Sequence, residues 1–262
     1  MRTSINDIDI NYIDEGQGPL LVMLHGWGSN IDLFNGTINF AKKKYHVVAM
    51  DMPGAGKSSE PHEAMDVDDY VDFVLAFIKK LYPDEKEVIF LGHSMGGRII
   101  IKLCDRLSRG ELPFDIPKVI LTDSAGIIPV KTEAQKKKSR RYKFYKNLIT
   151  KTGFAKICPS AMDKLQKKFG SADYASATPI MRQTMVKLVN CDCVPFMPKV
   201  TMPALLIWGD RDTATPLSDG QKMEQLMPQA GLAVIEGAGH FSFLDNQYLY
   251  NKILGSFLNI EM

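Results

Sequence analysis

The chain has 262 residues, 45% of them hydrophobic and 24% charged, with a net charge of +2. That length buries a large core and suits one α/β domain. The near-neutral balance gives no electrostatic case for nucleic acid or strongly acidic partners.

Thr3–Ile5 and Ile8–Ile13 predict two short strands turning at Asn6-Asp7. The polar start, with Asp7, Asp9, Asp14 and Glu15, carries no signal-peptide pattern. No apolar run there is long enough for an integral membrane segment. Leu20–Leu24 is an unbroken apolar run, expected of a strand buried on both faces. It ends at His25-Gly26-Trp27-Gly28. A helix over Ile31–Lys43 and a strand over Tyr45–Met50 follow.

The loop Asp51-Met52-Pro53-Gly54-Ala55-Gly56-Lys57-Ser58 resembles a phosphate loop but lacks the glycine spacing and the helix that must follow. It is read as a structural loop. Asp68–Leu81 is amphipathic, with Tyr70, Val71, Val74, Leu75 and Ile78 on its apolar side.

Val88–Leu91 then predicts a strand, and Arg98–Leu107 a helix. Between them lies Gly92-His93-Ser94-Met95-Gly96-Gly97. A serine on so tight a turn needs small neighbours, which Gly92 and Gly96 supply. Gly-x-Ser-x-Gly between a strand and a helix is the signature of a nucleophile elbow.

After the strand Val119–Thr122 the pattern changes. Residues 127–198 show no convincing strand. Lys131, Lys136, Lys137, Lys138, Arg140, Arg141, Lys143, Lys146, Lys151, Lys156, Lys164, Lys167 and Lys168 make this stretch basic. Tyr142, Tyr145, Leu148 and Ile149 have helical spacing. The expected division is a core of 1–126 and 199–262 with a helical cap insertion at 127–198. The basic helix face reads as solvated, with an attractive field for anionic substrates or a membrane surface as the alternative. Strands resume at Ala204–Trp208 and Leu232–Ile235, with helices at Leu217–Leu226 and Gln247–Leu258. Alternating strands and helices imply a mostly parallel sheet with helices on both faces.

The reactive candidates all follow predicted strand ends, where an open α/β sheet places its ligand crevice. A serine hydroxyl needs a base, and the base needs an orienting carboxylate. The order Ser94, Asp212, His240 fits an elbow nucleophile, its acid and its base. Asp210 and Asp123 are alternative acids. The backbone N–H groups of Met95 and Trp27 are the expected oxyanion donors. His25, beside Trp27, is a candidate substrate contact or a structural residue.

The four cysteines, Cys104, Cys158, Cys191 and Cys193, lack zinc-site spacing. They read as free or buried thiols in a cytoplasmic protein, with no metal and no cofactor.

On His25-Gly26-Trp27-Gly28, Asp51-x-Pro53-Gly54-x-Gly56-x-Ser58, the elbow, Gly209-Asp210-x-Asp212-x-x-x-Pro216 and Gly239-His240, the chain resembles the α/β-hydrolase-fold enzymes. The resemblance implies an eight-stranded sheet with a helical cap after strand 6, with Ser94 as nucleophile, Asp212 as acid and His240 as base. It implies a carboxylesterase-like serine hydrolase of a small-molecule ester. The chain also resembles carbon–carbon bond hydrolases of ring-fission diketones, through Asp123-Ser124-Ala125-Gly126 and the cap position. Arg182 or a cap lysine would then hold a substrate carboxylate. Those enzymes commonly carry Asn before the nucleophile, and His93 here leans toward ester chemistry. A non-catalytic binding protein of the same fold is the third possibility, disfavoured by the intact set of reactive residues.

Overall fold

The chain begins with a hairpin whose turn residues, Asn6 and Asp7, both adopt positive φ (49° and 61°). Such turns match the right-handed twist of the flanking strands. They join β1 (Arg2–Ile5) to β2 (Ile8–Glu15). The remaining strands are β3 (Leu20–Leu24), β4 (His46–Met50), β5 (Val88–His93), β6 (Val119–Thr122), β7 (Ala204–Gly209) and β8 (Ala230–Ile235). They form one eight-stranded sheet in the order β1-β2-β4-β3-β5-β6-β7-β8. Only the β1–β2 and β2–β4 pairs are antiparallel. This computed structural model describes residues 1–128, 133–151, 174 and 176–261.

Strand β3 shows why its sequence is apolar throughout. Leu20, Val22 and Leu24 pack into the core on one face of the sheet, and Leu21 and Met23 into the core on the other. Both faces are covered by helices, so no position in the strand meets water. On the first face lie α2 (Val67–Leu81) and α3 (Met95–Ser108), through Tyr70, Val74, Phe77, Ile99 and Ile100. On the second lies α1 (Asn35–Ala41), through Ile38 and Phe40. Helix α2 starts at a reciprocal capping box between Asp66 and Asp69 and ends with Lys79 and Lys80 in its last turn. Both ends suit the helix dipole.

Between β6 and β7 the described residues hold α4 (Glu133–Lys151), α5 (Pro179–Val189) and a 3₁₀ turn, Val194–Lys199. The helical reading of this stretch is met at these residues. Lys131, Cys158 and the cations at 156, 164, 167 and 168 lie outside the described residues. The fold closes with α6 (Leu217–Leu226), the short α7 (Ser242–Asp245) and α8 (Gln247–Leu258). Tyr250, Leu254 and Leu258 of α8 join the second core.

Most strand and helix ends differ from the sequence expectation by one or two residues, and the helices depart further at three places. The elbow helix starts at Met95 rather than Arg98, because Gly96 and Gly97 are its first turn. The span expected as one helix over 31–43 is a 3₁₀ turn, Ile31–Phe34, followed by the seven-residue α1. Asn30 caps this turn through its side chain. Helix α7 has too few residues to show a period and was not expected from the pattern.

Candidate active site

Ser94 sits between β5 and α3 with φ 52° and ψ −110°. A non-glycine residue with positive φ costs on the order of 1–3 kcal/mol and persists only where its surroundings hold it. Here the hold is visible. The Ser94 N–H donates to the Thr122 carbonyl at 3.2 Å, and its own carbonyl accepts from Gly97 and Ala125 at 3.0 and 2.9 Å. The glycines are required by space. A Cβ on Gly92 would lie 2.6 Å from the Gly96 carbonyl carbon, one on Gly96 would collide with the Leu24 carbonyl, and one on Gly97 would collide with the Ser124 hydroxyl.

His240 follows β8 and reaches across the sheet end. Its Nε2 lies 3.1 Å from Ser94 Oγ, and its Nδ1 lies 2.7 Å from Asp212 Oδ2. The carboxylate accepts the Nδ1 proton, which leaves the Nε2 lone pair facing the serine hydroxyl.

Asp212 is held in turn. Its Oδ1 accepts from the backbone N–H groups of Ala214 (2.7 Å) and Thr215 (3.0 Å), the local turn that an aspartate favours. Burial by itself raises the Asp212 carboxyl. The bonds from His240 and from the Thr215 backbone and hydroxyl outweigh it and hold the group below its usual value.

The alternative acids take other work. Asp123 is fully buried, and its carboxylate accepts from the N–H groups of Gly209 (2.9 Å) and Ser242 (3.0 Å) and from the Ser242 hydroxyl (2.7 Å). It ties the end of β6 to the end of β7 and to the residues after His240. Burial pushes its carboxyl up to about 6, against the pull of those three bonds. Asp210 accepts from the Gly237 N–H at 2.7 Å and shapes the same loop.

Met95 is the first residue of α3, where a backbone N–H has no intrahelical acceptor. Met95 and Trp27 both line a cavity of about 530 Å³ that also touches Met52, Pro53, Tyr70 and Met181. His25 lines it too, but both its ring nitrogens are engaged by backbone. Nε2 accepts from Met52 N–H at 2.9 Å, which leaves the proton on Nδ1 for the Gly26 carbonyl at 2.7 Å. Burial lowers its pKa, so the ring is neutral. It clamps the end of β3 to the end of β4, and this geometry answers to its structural reading.

Arg182 is buried. Neither it nor Ser94 nor His240 is among the described residues lining that cavity. The Arg182 Nε donates to the Tyr174 carbonyl at 3.0 Å, and its guanidinium lies 5.9 Å from the Tyr174 ring.

Two contacts at the site escaped the sequence reading. Thr215 Oγ1 stands 2.7 Å from Asp212 Oδ2, 3.0 Å from the Asp123 carbonyl and 3.2 Å from His240 Nδ1. His93 Nε2 donates to the His240 carbonyl at 2.7 Å. Burial, with His240 beside it, lowers the His93 pKa to about 3. Only folding brings either contact about; the Gly209–Pro216 motif marks the loop of Thr215 and nothing more.

The loop Asp51–Ser58 has the structural role expected. Asp51 accepts from Asn11 Nδ2 and from the N–H groups of Ile31 and Lys57 at 2.8–2.9 Å. A Cβ on Gly56 would strike that carboxylate. Among the described residues no cluster of His, Cys, Asp or Glu could hold a metal ion, and no helix is long and apolar enough to cross a membrane.

Comparison with known proteins agrees with the architecture. The chain is 23% identical over 249 residues to the 2-(acetamidomethylene)succinate hydrolase of Mesorhizobium japonicum, covering 92% of this chain and 88% of that one. It is 27% identical over 261 residues to 3-oxoadipate enol-lactonase 2 of Acinetobacter baylyi, covering 94% and 91%. An esterase from Exiguobacterium antarcticum superposes with a TM-score of 0.74 at 23% identity, over 99% of both chains. A family profile described as alpha/beta hydrolase fold matches residues 19–247. The chain belongs to the alpha/beta hydrolase fold family.

Proposed function

We propose that this chain is a serine hydrolase that cleaves a small carboxylic ester through an acyl-enzyme on Ser94. The observation that supports the reading most is the unbroken relay from Asp212 through His240 to Ser94, at 2.7 and 3.1 Å, above a strained elbow. His240 Nε2 takes the Ser94 proton as Oγ attacks the ester carbonyl, and Asp212 stabilises the imidazolium that forms. The N–H groups of Met95 and Trp27 receive the developing oxyanion. His240 then protonates the departing alcohol. It next takes a proton from the water that releases the acid. The insertion 127–198 is assigned as the cap, and among its described residues Met181 of α5 lines the cavity with Met95 and Trp27.

Ester cleavage is favoured over carbon–carbon cleavage by His93, which stands before the nucleophile where the carbon–carbon hydrolases that this chain resembles commonly carry Asn. One of the relatives is named an enol-lactonase, which accords with ester chemistry. No cofactor or metal enters the proposed steps, and the partner is a small-molecule substrate.

A fluorophosphonate probe and a panel of short-chain aryl esters test the reading. Wild type should label and turn over. Ser94→Ala should lose labelling and on the order of 10⁴- to 10⁶-fold in kcat. Equal labelling of the two proteins, or none of wild type, would sink it. Turnover of a dienoate ring-fission product well above the esters would transfer the assignment to carbon–carbon cleavage.

A further inference from the structure

We propose that Glu60 selects substrates by charge, so that the cavity takes esters bearing a cationic group in preference to neutral ones, and neutral ones in preference to anionic ones. The inference rests on the ester-hydrolase reading and names the substrate class for that site.

The cavity of about 530 Å³ has the size of a small-molecule site. It abuts the nucleophile turn. Met95, the residue after Ser94, lines it, and so does Gly26, where an added Cβ would lie 3.0 Å from the Ser94 Cβ. Glu60 and Thr178 line the same cavity. Among the described lining residues Glu60 alone carries a charged side chain, because His25 is held neutral between two backbone groups.

Glu60 is fixed in place. Ser59 N–H donates to the Asp9 carbonyl at 2.8 Å, and the Ser59 carbonyl accepts from Gly54 N–H at 2.9 Å. Pro61 follows, buried and with its φ locked by the ring. Thr178 Oγ1 donates to Glu60 Oε2 at 3.0 Å and accepts from the Met181 N–H at 3.3 Å, at the start of α5. That helix is tied down in turn. Thr184 Oγ1 accepts from the Met65 N–H at 3.1 Å, and Lys187 Nζ donates to the Ala64 carbonyl. One hydroxyl donor leaves most of the acceptor capacity of a carboxylate unused. Among the described residues no Lys or Arg pairs with Glu60.

The consequence is electrostatic. Such a carboxylate attracts a substrate cation and repels a substrate anion. Glu60 is exposed, so water and salt screen it, and the expected discrimination is roughly 5- to 10-fold. The carboxylate of a ring-fission substrate would meet no cation among the described lining residues. The cations of α4, Lys137 and Arg140 among them, would favour the opposite order, so the two fields predict different substrates.

Phenyl esters whose acyl chains end in trimethylammonium, tert-butyl or sulfonate groups test the inference. The first two share a shape and differ in charge. A second set carries the same groups on the alcohol, and the set that responds shows which part of the substrate meets Glu60. In wild type, kcat/KM should rank trimethylammonium above tert-butyl above sulfonate. The ratio of the first to the second should fall roughly 5- to 10-fold in Glu60→Gln, which keeps an acceptor for Thr178, and further in Glu60→Lys. Raising salt from about 0.02 to about 0.5 M should shrink the wild-type ratio. If the variants do not fold, the wild-type ratio and its salt response decide alone. A ratio at or below one in wild type, or an equal ratio in Glu60→Gln, overturns the inference, while turnover of the tert-butyl ester leaves the ester-hydrolase reading standing. Failure of every ester, with no fluorophosphonate labelling, overturns both.

Discussion

His93 Nε2 donates to the backbone carbonyl of His240 at 2.7 Å, so the residue before the proposed nucleophile holds the residue proposed as its base. The His93 ring also packs on His240, Phe241 and Phe243, with centroids 4.8–5.1 Å apart. It meets no substrate in this arrangement; it positions. His93→Ala should lower kcat by roughly 10- to 100-fold with a smaller change in KM, because a misplacement of about 1 Å at a base is enough for that loss. Steady-state kinetics on a variant shown to be folded by circular dichroism checks it. An unchanged kcat would sever the link between the two histidines.

Thr215 bridges the proposed acid to the strand ends through one hydroxyl. Thr215→Val keeps the shape and removes the bridge. It should cost about 1 kcal/mol of stability, the usual net worth of such a bond, and roughly 10-fold in kcat. Thr215→Ser should recover most of both. Paired denaturation and rate measurements separate this from a purely structural role, in which kcat would hold.

The Asp123 carboxyl gives the protein a readable pH signature. Burial raises its pKa from 3.8 to about 6 in the fold. Between those values the folded chain keeps a proton that the unfolded chain has lost. Stability from this group is therefore greatest at low pH and falls as pH rises through about 6. Asp123→Asn removes that slope. Wild type should gain Tm relative to the variant as pH drops from about 7 to about 5. Asp212, whose pKa is lowered, works in the opposite direction, but only as pH falls below its ordinary carboxylate range, outside this window. A constant Tm difference across the range would refute the assignment.

Met181 reaches over Gly54, where an added Cβ would collide with its thioether, and forms part of the cavity wall. Met181→Ala should widen the cavity there. The ratio of kcat/KM for branched or longer acyl esters to that for acetate should rise several-fold, within the roughly 10- to 200-fold that one hydrophobic contact can give. An unaltered chain-length profile would place the acyl group elsewhere.

The sequence by itself determined the parts that depend on neighbours in the chain. Leu20–Leu24 had to be a doubly buried strand, because no alternation offers a wet face. Gly92 and Gly96 had to flank a tight turn, because a Cβ at either has no room. The order Ser94, Asp212, His240 then followed from strand ends that point one way, as did the mostly parallel sheet with helices on both faces. The stretch 127–198, where strand signals ceased, was expected to be helical, and the described helices at 133–151 and 179–189 agree. What only the tertiary structure decided are the contacts between residues far apart in sequence. Asp123, an alternative acid by its strand end, faces Gly209 and Ser242, whereas Asp212 faces His240. Arg182 turns to Tyr174, and His93 grips a carbonyl 147 residues away. Side-chain direction at a loop is set by the register of the strands beneath it and by which buried donors need an acceptor. Neither is a local property of the chain, so the same residue types at the same strand ends came to hold different roles.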